Sequence, residues 1–403
     1  MQLGIARALV ARGHEVRILG GTALRDRVEA CGAGFTPFVR APDISMSSPD
    51  TDSVRDWQSK TPIGATIRFR DHLMFGPSLE FATDVIDELD RNPADVVAFD
   101  YLLMGAGTGA EKAGVRSAAV IHNPYPLPEP GIPPFGMGLM PARGLPGRIR
   151  DRLLQASAER LFKPGLRSLN RARAELGLEP LERYDDQVRR SDLQLVLTSP
   201  ELDFGSRADL PTSVRYVGPV LDGEKVLRSA EADTAAAEPF IVASLGTTYQ
   251  RQEALVRRVS QALGGLPVQA ILTTGPAMDP GEVEAPDNVE IRRFVPHEEV
   301  MPRARLVVCH GGLGTVHAAL AHGVPVLCLP HGRDQGDNRA RVVAAGAGLG
   351  LSRHASVRRI RSAIERALGD DALRQGARRL ASSIESLPGA AGAVQELEAI
   401  AKR

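Results

Sequence analysis

The residues best suited to chemistry stand close together in one run. From Leu306 to Leu351 the chain reads LVVCHGGLGTVHAALAHGVPVLCLPHGRDQGDNRARVVAAGAGLGL. Leu306 to Cys309 is apolar and rich in β-branched residues, the composition of a buried strand. His310, Gly311, Gly312, Leu313, Gly314 and Thr315 follow at once. Glycines let the backbone turn sharply and approach a ligand closely. Val316 to His322 then reads as a helix, stopped by Gly323 and the Val324-Pro325 pair. A glycine-rich turn from strand into helix aims unpaired N–H groups outward with the helix dipole behind them, which suits a phosphate.

A second strand, Pro325 to Leu329, opens at Pro330 onto a polar loop with His331, Asp334, Gln335 and Asn338. A carboxylate beside a carboxamide offers several acceptors and two donors in little space, which suits vicinal hydroxyls. The combined chemistry is recognition of a nucleoside diphosphate sugar. His310 and the N–H groups of Gly312, Gly314 and Thr315 hold the diphosphate, and Asp334 and Gln335 hold the sugar.

The same run resembles the donor-binding signature of the family 1 glycosyltransferases. That pattern is close to H-G-G-x-G-T, then A-L-x-x-G-V-P, then P-x-x-x-D-Q-x-x-N, then R-V-x-x-x-G-x-G. It is matched by His310 to Thr315, by Ala319-Leu320 with Gly323-Val324-Pro325, by Pro330 with Asp334-Gln335 and Asn338, and by Arg341-Val342 with Gly346 and Gly348. The pattern is nearest that of actinobacterial enzymes that glycosylate natural products of the macrolide type.

The resemblance implies an α/β protein of the GT-B fold, with two facing Rossmann-like domains. It implies inverting transfer of a hexose from a UDP or dTDP donor to a hydroxyl of a small natural-product or lipid-like acceptor, with no metal or further cofactor. Ser244-Leu245-Gly246-Thr247 resembles the family's S-L-G-T, so Ser244, Gly246 and Thr247 are expected at the diphosphate. Val295-Pro296-His297 matches the V-P-x that lies against the nucleobase, with backbone bonding at Val295. Asp100 stands where the family has an aspartate that orients a base histidine.

That histidine belongs to a loop after the family's first strand, ahead of an L-A-R-A-L-x-x-R-G-H-E-V stretch. Here the stretch runs from Leu3 to Val16, almost at Met1. The expectation is therefore a GT-B chain written without its first strand and without that histidine, either through a late start or as a decayed or auxiliary protein. The competing function is a non-catalytic sugar-nucleotide binder. His14, in the R-G-H-E-V turn, reads as a turn residue.

Composition narrows the field. With 403 residues the chain is long enough for two or three domains, and 49 basic residues balance 49 acidic ones. No block of like charge points to nucleic acid. The three cysteines, Cys31, Cys309 and Cys328, read as free thiols in a reducing cytoplasm. No apolar stretch is long enough to span a membrane, and the first residues carry too many charges for a signal peptide. The expected partners are thus a nucleotide sugar and a small hydrophobic hydroxylated acceptor, with the chain a monomer or homodimer.

The elements that must position the motifs alternate. Val16 to Leu19, Phe35 to Val39, Asp95 to Phe99, Arg116 to Ile121, Leu193 to Leu197 and Arg215 to Val217 read as strands between helical stretches, which demands a parallel sheet. Residues 1–221 are read as the acceptor-binding domain and the polar, aperiodic residues 222–238 as a linker. Residues 239–385 are read as the nucleotide-sugar domain, and 386–403 as a helix returning to the first domain.

Asp50-Thr51-Asp52 has the D-x-D form of a metal motif, but it follows no apolar strand and reads as loop. Gly105 to Ala110 fits G-x-G-x-x-A, but its first glycine comes five residues after Asp100. It reads as small residues packing a helix on a sheet. The long Pro-, Gly- and Met-rich segment from His122 to Gly147 reads as a binding loop, with Phe135, Met137, Leu139 and Met140 facing the acceptor.

Overall fold

The computed structural model describes residues 2–44, 50–205, 209–221, 238–246, 248–276 and 278–402. The linker residues 222–237 and Thr247 lie outside them. In the first half, α1 (Gln2–Ala11), β1 (Arg17–Gly20), α2 (Arg25–Glu29) and β2 (Gly34–Pro37) lead to α3 (Pro62–Phe69) and α4 (Ser78–Arg91). Then come β3 (Val96–Asp100), α5 (Met104–Ala113), β4 (Arg116–Ile121), the long α6 (Gly144–Glu175), α7 (Asp186–Arg189), β5 (Leu193–Val196) and β6 (Val214–Tyr216).

The second half runs β7 (Phe240–Ser244), α8 (Glu253–Leu263), β8 (Gln269–Thr273), β9 (Val289–Arg292), α9 (His297–Val300), β10 (Leu306–Cys309), α10 (Leu313–Ala321), β11 (Val326–Cys328), α11 (Gln335–Ala344) and β12 (Gly348–Gly350). It closes with α12 (Val357–Gly369), α13 (Asp371–Ser386) and α14 (Ala390–Ala401).

Every described strand pair is parallel. The second half holds one six-stranded sheet in the order β12-β11-β10-β7-β8-β9. From β7 the chain steps outward through β8 and β9, then returns to the other side of β7 for β10. The order thus reverses between β7 and β10, and the strand ends there open a crevice, the usual ligand position in such sheets. Leu255, Val256 and Val259 of α8 pack with Ile360 and Ala363 of α12 on one face of the sheet. Leu313, Val316 and Leu320 of α10 pack with Ala377 and Leu380 of α13 on the other.

The first half departs from the expected single sheet. Strands β3-β4-β5-β6 form one sheet, while β1 and β2 form a separate pair. Among the described residues no strand stands between β1 and β3 to carry the ladder across. α14 returns to this half, where Ala393, Leu397 and Ile400 bury against Ile5, Ala118 and Leu195. Glu398 of α14 holds Arg12 at 2.9 Å and His14 at 2.8 Å, so His14 anchors a turn.

The glycines of α5 are a packing device. A Cβ on Gly105 would lie 2.2 Å from the Ser78 carbonyl oxygen, and one on Gly109 2.7 Å from that of Ala82. Only hydrogen at these positions lets α5 approach α4 so closely. Asp52, from the D-x-D triplet, is buried and accepts hydrogen bonds from the backbone of Val54 and Arg55, each at 2.9 Å.

Candidate active site

The crevice between β7 and β10 is built from two turns. After β7 the backbone passes through Leu245 to Gly246, whose φ of +111° favours glycine. After β10 it passes through His310 to Gly311, with φ +89°. The His310 ring lies between these turns: a Cβ on Gly246 would be 3.3 Å from it, and one on Gly312 only 2.3 Å. Burial of the ring holds His310 below the ordinary histidine range, partly offset by the Ser244 backbone. At neutral pH the imidazole is therefore a hydrogen-bonding group rather than a fixed cation. Its buried Nδ1 has no hydrogen-bond partner among the described residues.

Gly312 caps α10 without a side-chain bond. The first-turn N–H groups of Leu313, Gly314 and Thr315 are thus left for an anion. Asn338 explains its own fixed offset, because its Nδ2 donates to the Gly311 carbonyl and to Asp334 Oδ2, both at 2.8 Å. It ties the glycine turn to the Asp334 loop. The Gln335 side chain is engaged with protein: Oε1 accepts from the His331 N–H at 2.7 Å and Nε2 donates to Gln250 at 2.7 Å. Asp334 Oδ1 takes no hydrogen bond from the described residues, and Asp334 lines the cleft.

The opposite wall comes from the first half. Asp100 ends β3, and its Oδ2 accepts from Gln2 Nε2 at 3.1 Å. His122 follows the neighbouring β4 and brings Nδ1 to 3.5 Å from the same oxygen. Tyr101 stands beside it, ring centroids 5.6 Å apart, with its hydroxyl accepting from Asn123 at 2.6 Å. Burial raises the Tyr101 phenol well above its usual value, so it stays neutral.

Between the walls lies a cavity of about 1410 Å³. Polar contacts close its rim from both sides. Arg333 makes a two-pronged ion pair with Asp56, each contact 2.8 Å, and Trp57 meets Tyr249 edge-on at 5.1 Å. Asp337 accepts from the N–H groups of Gly136 at 2.5 Å and Gly138 at 2.9 Å. Its burial raises the carboxyl pKa to about 6, with Arg341 and the two amides opposing that rise.

Among the residues singled out from sequence, Asp100, Gly314 and Asp334 line this cavity. Ser244, Gly246, His310, Gly312 and Thr315 gather at the two turns behind it. Gln335 is buried beneath the loop, Val295 is buried in the core beside α10, and Thr247 is outside the described residues. Of the loop residues, Phe135 and Met137 line the cavity, whereas Leu139 and Met140 do not border it.

The comparisons with known proteins agree with this architecture. Residues 257–400 match the family described as erythromycin biosynthesis protein CIII-like, C-terminal domain. The chain is 31% identical over 407 residues to 4'-demethylrebeccamycin synthase of Lentzea aerocolonigenes, covering 98% of this chain and 95% of that protein. The chain belongs to the natural-product glycosyltransferases. The glycosyltransferase superposes on the glycotransferase of kitacinnamycin with a TM-score of 0.74 at 22% identity, covering 99% of this chain and 94% of that one. It superposes on VinC, solved in complex with dTDP, with a TM-score of 0.69 at 20% identity, covering 100% and 96%. The fold is therefore GT-B, two parallel-sheet halves facing one cleft. Among the described residues no helix is long and apolar enough to cross a membrane.

Sequence reasoning missed several residues of the glycosyltransferase cleft. His122, read only as part of a loop, lines the cleft beside Asp100. The available signal was topological: adjacent parallel strands put the residues just past their C-terminal ends side by side, and Asp100 pairs with Val120 in register. Asp56, Arg333 and Asp337 gave no local signal, because their partners lie in the other half.

Proposed function

We propose that this glycosyltransferase moves a hexose from a UDP or dTDP donor to a hydroxyl of a small, largely apolar natural-product acceptor, with inversion at the anomeric carbon. The observation that carries the reading is the cavity itself, with a glycine turn and helix start on one wall and the Asp100–His122 pair on the other. Its volume of about 1410 Å³ exceeds the ~300–1,000 Å³ of a pocket for one small molecule, which leaves room for donor and acceptor together. The acceptor side is lined by Phe69, Met74, Pro126, Phe135, Met137 and Phe162, surfaces for an apolar scaffold.

In this reading the diphosphate sits on the first turn of α10, with His310 and Thr315 donating to it. Ser244, Gly246 and Thr247 approach from the β7 turn, and the nucleobase bonds to backbone at Val295. Charge grows on the leaving diphosphate as the glycosidic bond breaks, and preorganised donors there lower the barrier. Asp334 takes sugar hydroxyls, and Gln335 holds the loop that presents it. The acceptor oxygen attacks from the opposite face. Its proton passes to His122, whose imidazolium is balanced by Asp100.

The test measures nucleoside diphosphate release from UDP-glucose and dTDP-glucose, with and without a phenolic or macrolide-like acceptor. The stereochemistry of the product is then read by NMR from the anomeric coupling. Acceptor-dependent release with a β-linked product supports the reading. A retained α linkage, or release equal in both conditions, refutes it.

A further inference from the structure

The cleft holds a pair of guanidinium groups that the reading above does not use. Arg258 projects from α8, and Arg353 from the loop after β12. Both line the cavity, with His331 and His354. A chain of contacts fixes them: Arg258 Nη2 donates to the Arg353 carbonyl at 2.6 Å, and Arg353 Nη1 reaches the His331 carbonyl at 3.4 Å. Arg353 Nε donates to His354 Nε2 at 3.1 Å. Burial, with His310, Arg353 and Arg258 nearby, holds His331 down to about 3, so it is neutral.

Among the described residues neither guanidinium has a carboxylate oxygen within 4.0 Å. Among the same residues, Arg258 Nε and His331 Nε2 are buried without a hydrogen-bond partner. Arg258 is half-buried and Arg353 exposed at the cleft wall, and cationic groups gathered there without a counterion offer charge-assisted hydrogen bonds to an anion. α8 lies on the face of the sheet opposite α10, whose first turn carries the free N–H groups. His331 lies within electrostatic reach of His310, Arg353 and Arg258.

We propose that Arg258 and Arg353 form a second anion subsite, which binds a carboxylate carried by the small molecule in the cleft. This rests on the glycosyl-transfer reading. The carboxylate comes either from the donor, as a uronic acid in place of a neutral hexose, or from the acceptor. In both cases the paired guanidiniums select the charged compound over its neutral counterpart.

The test uses the full chain and the variants Arg258→Gln, Arg353→Gln and the double substitution, with Arg258→Lys as a charge-keeping control. Calorimetry measures binding of UDP alone, UDP-glucose and UDP-glucuronate. Steady-state rates compare a carboxylated phenolic acceptor with its methyl ester. The wild type should favour the charged member of one pair, and that pair names the source. The double variant should lose about 10- to 100-fold on that member only, the scale for a charge-assisted contact. It should keep UDP binding within about twofold, and Arg258→Lys should restore part of the preference. A matching loss for UDP alone would assign the cluster to the diphosphate and overturn the proposal. So would a wild type indifferent to both carboxylates. A wild type that binds no nucleotide overturns the glycosyl-transfer reading and the subsite with it, an outcome distinct from loss in the variants alone.

Discussion

Arg341 of α11 and Asp203 of the first half form an ion pair at 2.8 Å, with only 2% and 0% of their side chains exposed. Asp203 also accepts from the Tyr125 N–H at 2.7 Å and the Tyr216 hydroxyl at 2.8 Å, and Arg341 lies 4.5 Å from the centre of the Phe204 ring. One buried carboxylate thus joins both halves of the enzyme below the cleft. Its pairing offsets a desolvation cost that neither charge could bear alone. Asp203→Ala should lower stability by about 3–5 kcal/mol, because it strands a buried guanidinium. Urea unfolding checks this, and a loss below about 1 kcal/mol would show that the pair is not holding the halves.

His310 and Asp334 serve different parts of the donor in the proposed reaction. His310→Ala should lower kcat by about one to three orders of magnitude, the cost of losing one preorganised donor to a developing anion. Asp334→Ala should weaken binding of the nucleotide sugar and leave free nucleoside diphosphate binding nearly intact. Calorimetry with UDP and UDP-glucose separates the two. Equal loss for both ligands in the Asp334 variant would place that residue away from the sugar.

The pair Asp100 and His122 makes a kinetic prediction. His122→Ala should lower kcat by about 10²- to 10⁴-fold, the range for general base catalysis, with donor affinity unchanged. Asp100→Asn keeps the shape and removes the balancing charge, so it should show a smaller loss in the same parameter. Full turnover in the His122 variant would take the proton elsewhere.

Asp337 couples pH to the loop that carries Gly136 and Gly138. Its carboxyl is raised from 3.8 in the unfolded chain to about 6 in the fold, chiefly by burial. The native state therefore binds the proton more tightly, and between these values stability falls as pH rises. The loss should total about 3 kcal/mol, at about 1.4 kcal/mol for each tenfold change in proton affinity. It should be complete above about pH 6 and absent below about pH 4. Asp337→Asn should remove this part of the pH dependence. Thermal or urea unfolding of both forms from pH 4 to 7 measures the difference, and parallel curves would refute the assignment. The ionised carboxylate also grips Gly136 and Gly138 more firmly, so the acceptor KM of the wild type should rise as pH drops below about 6.

The crevice between β7 and β10 was legible in the sequence because its parts are local. A turn that needs glycine at Gly246 and Gly311, a helix start at Gly312, and an asparagine that ties two successive loops all lie within a few residues of a strand end. Backbone geometry and hydrogen-bond chemistry act there over short stretches, so residue type and spacing carry the information. The same logic separated the packing glycines of α5 from a dinucleotide turn, since Gly105 comes too late after Asp100.

Only the tertiary structure decided what meets across the cleft. His122 reaches Asp100 because β3 and β4 are neighbours. Asp56 finds Arg333, Asp337 finds the backbone of Gly136 and Gly138, and Asp203 finds Arg341 because the two halves of the chain face each other. Each of these pairs spans tens to hundreds of residues, and no local pattern selects one partner among many equivalent charges. The division of the first half into two sheets has the same origin. Strand propensity marks β1 and β3 as strands, but hydrogen bonding between them depends on which neighbours the packed chain supplies.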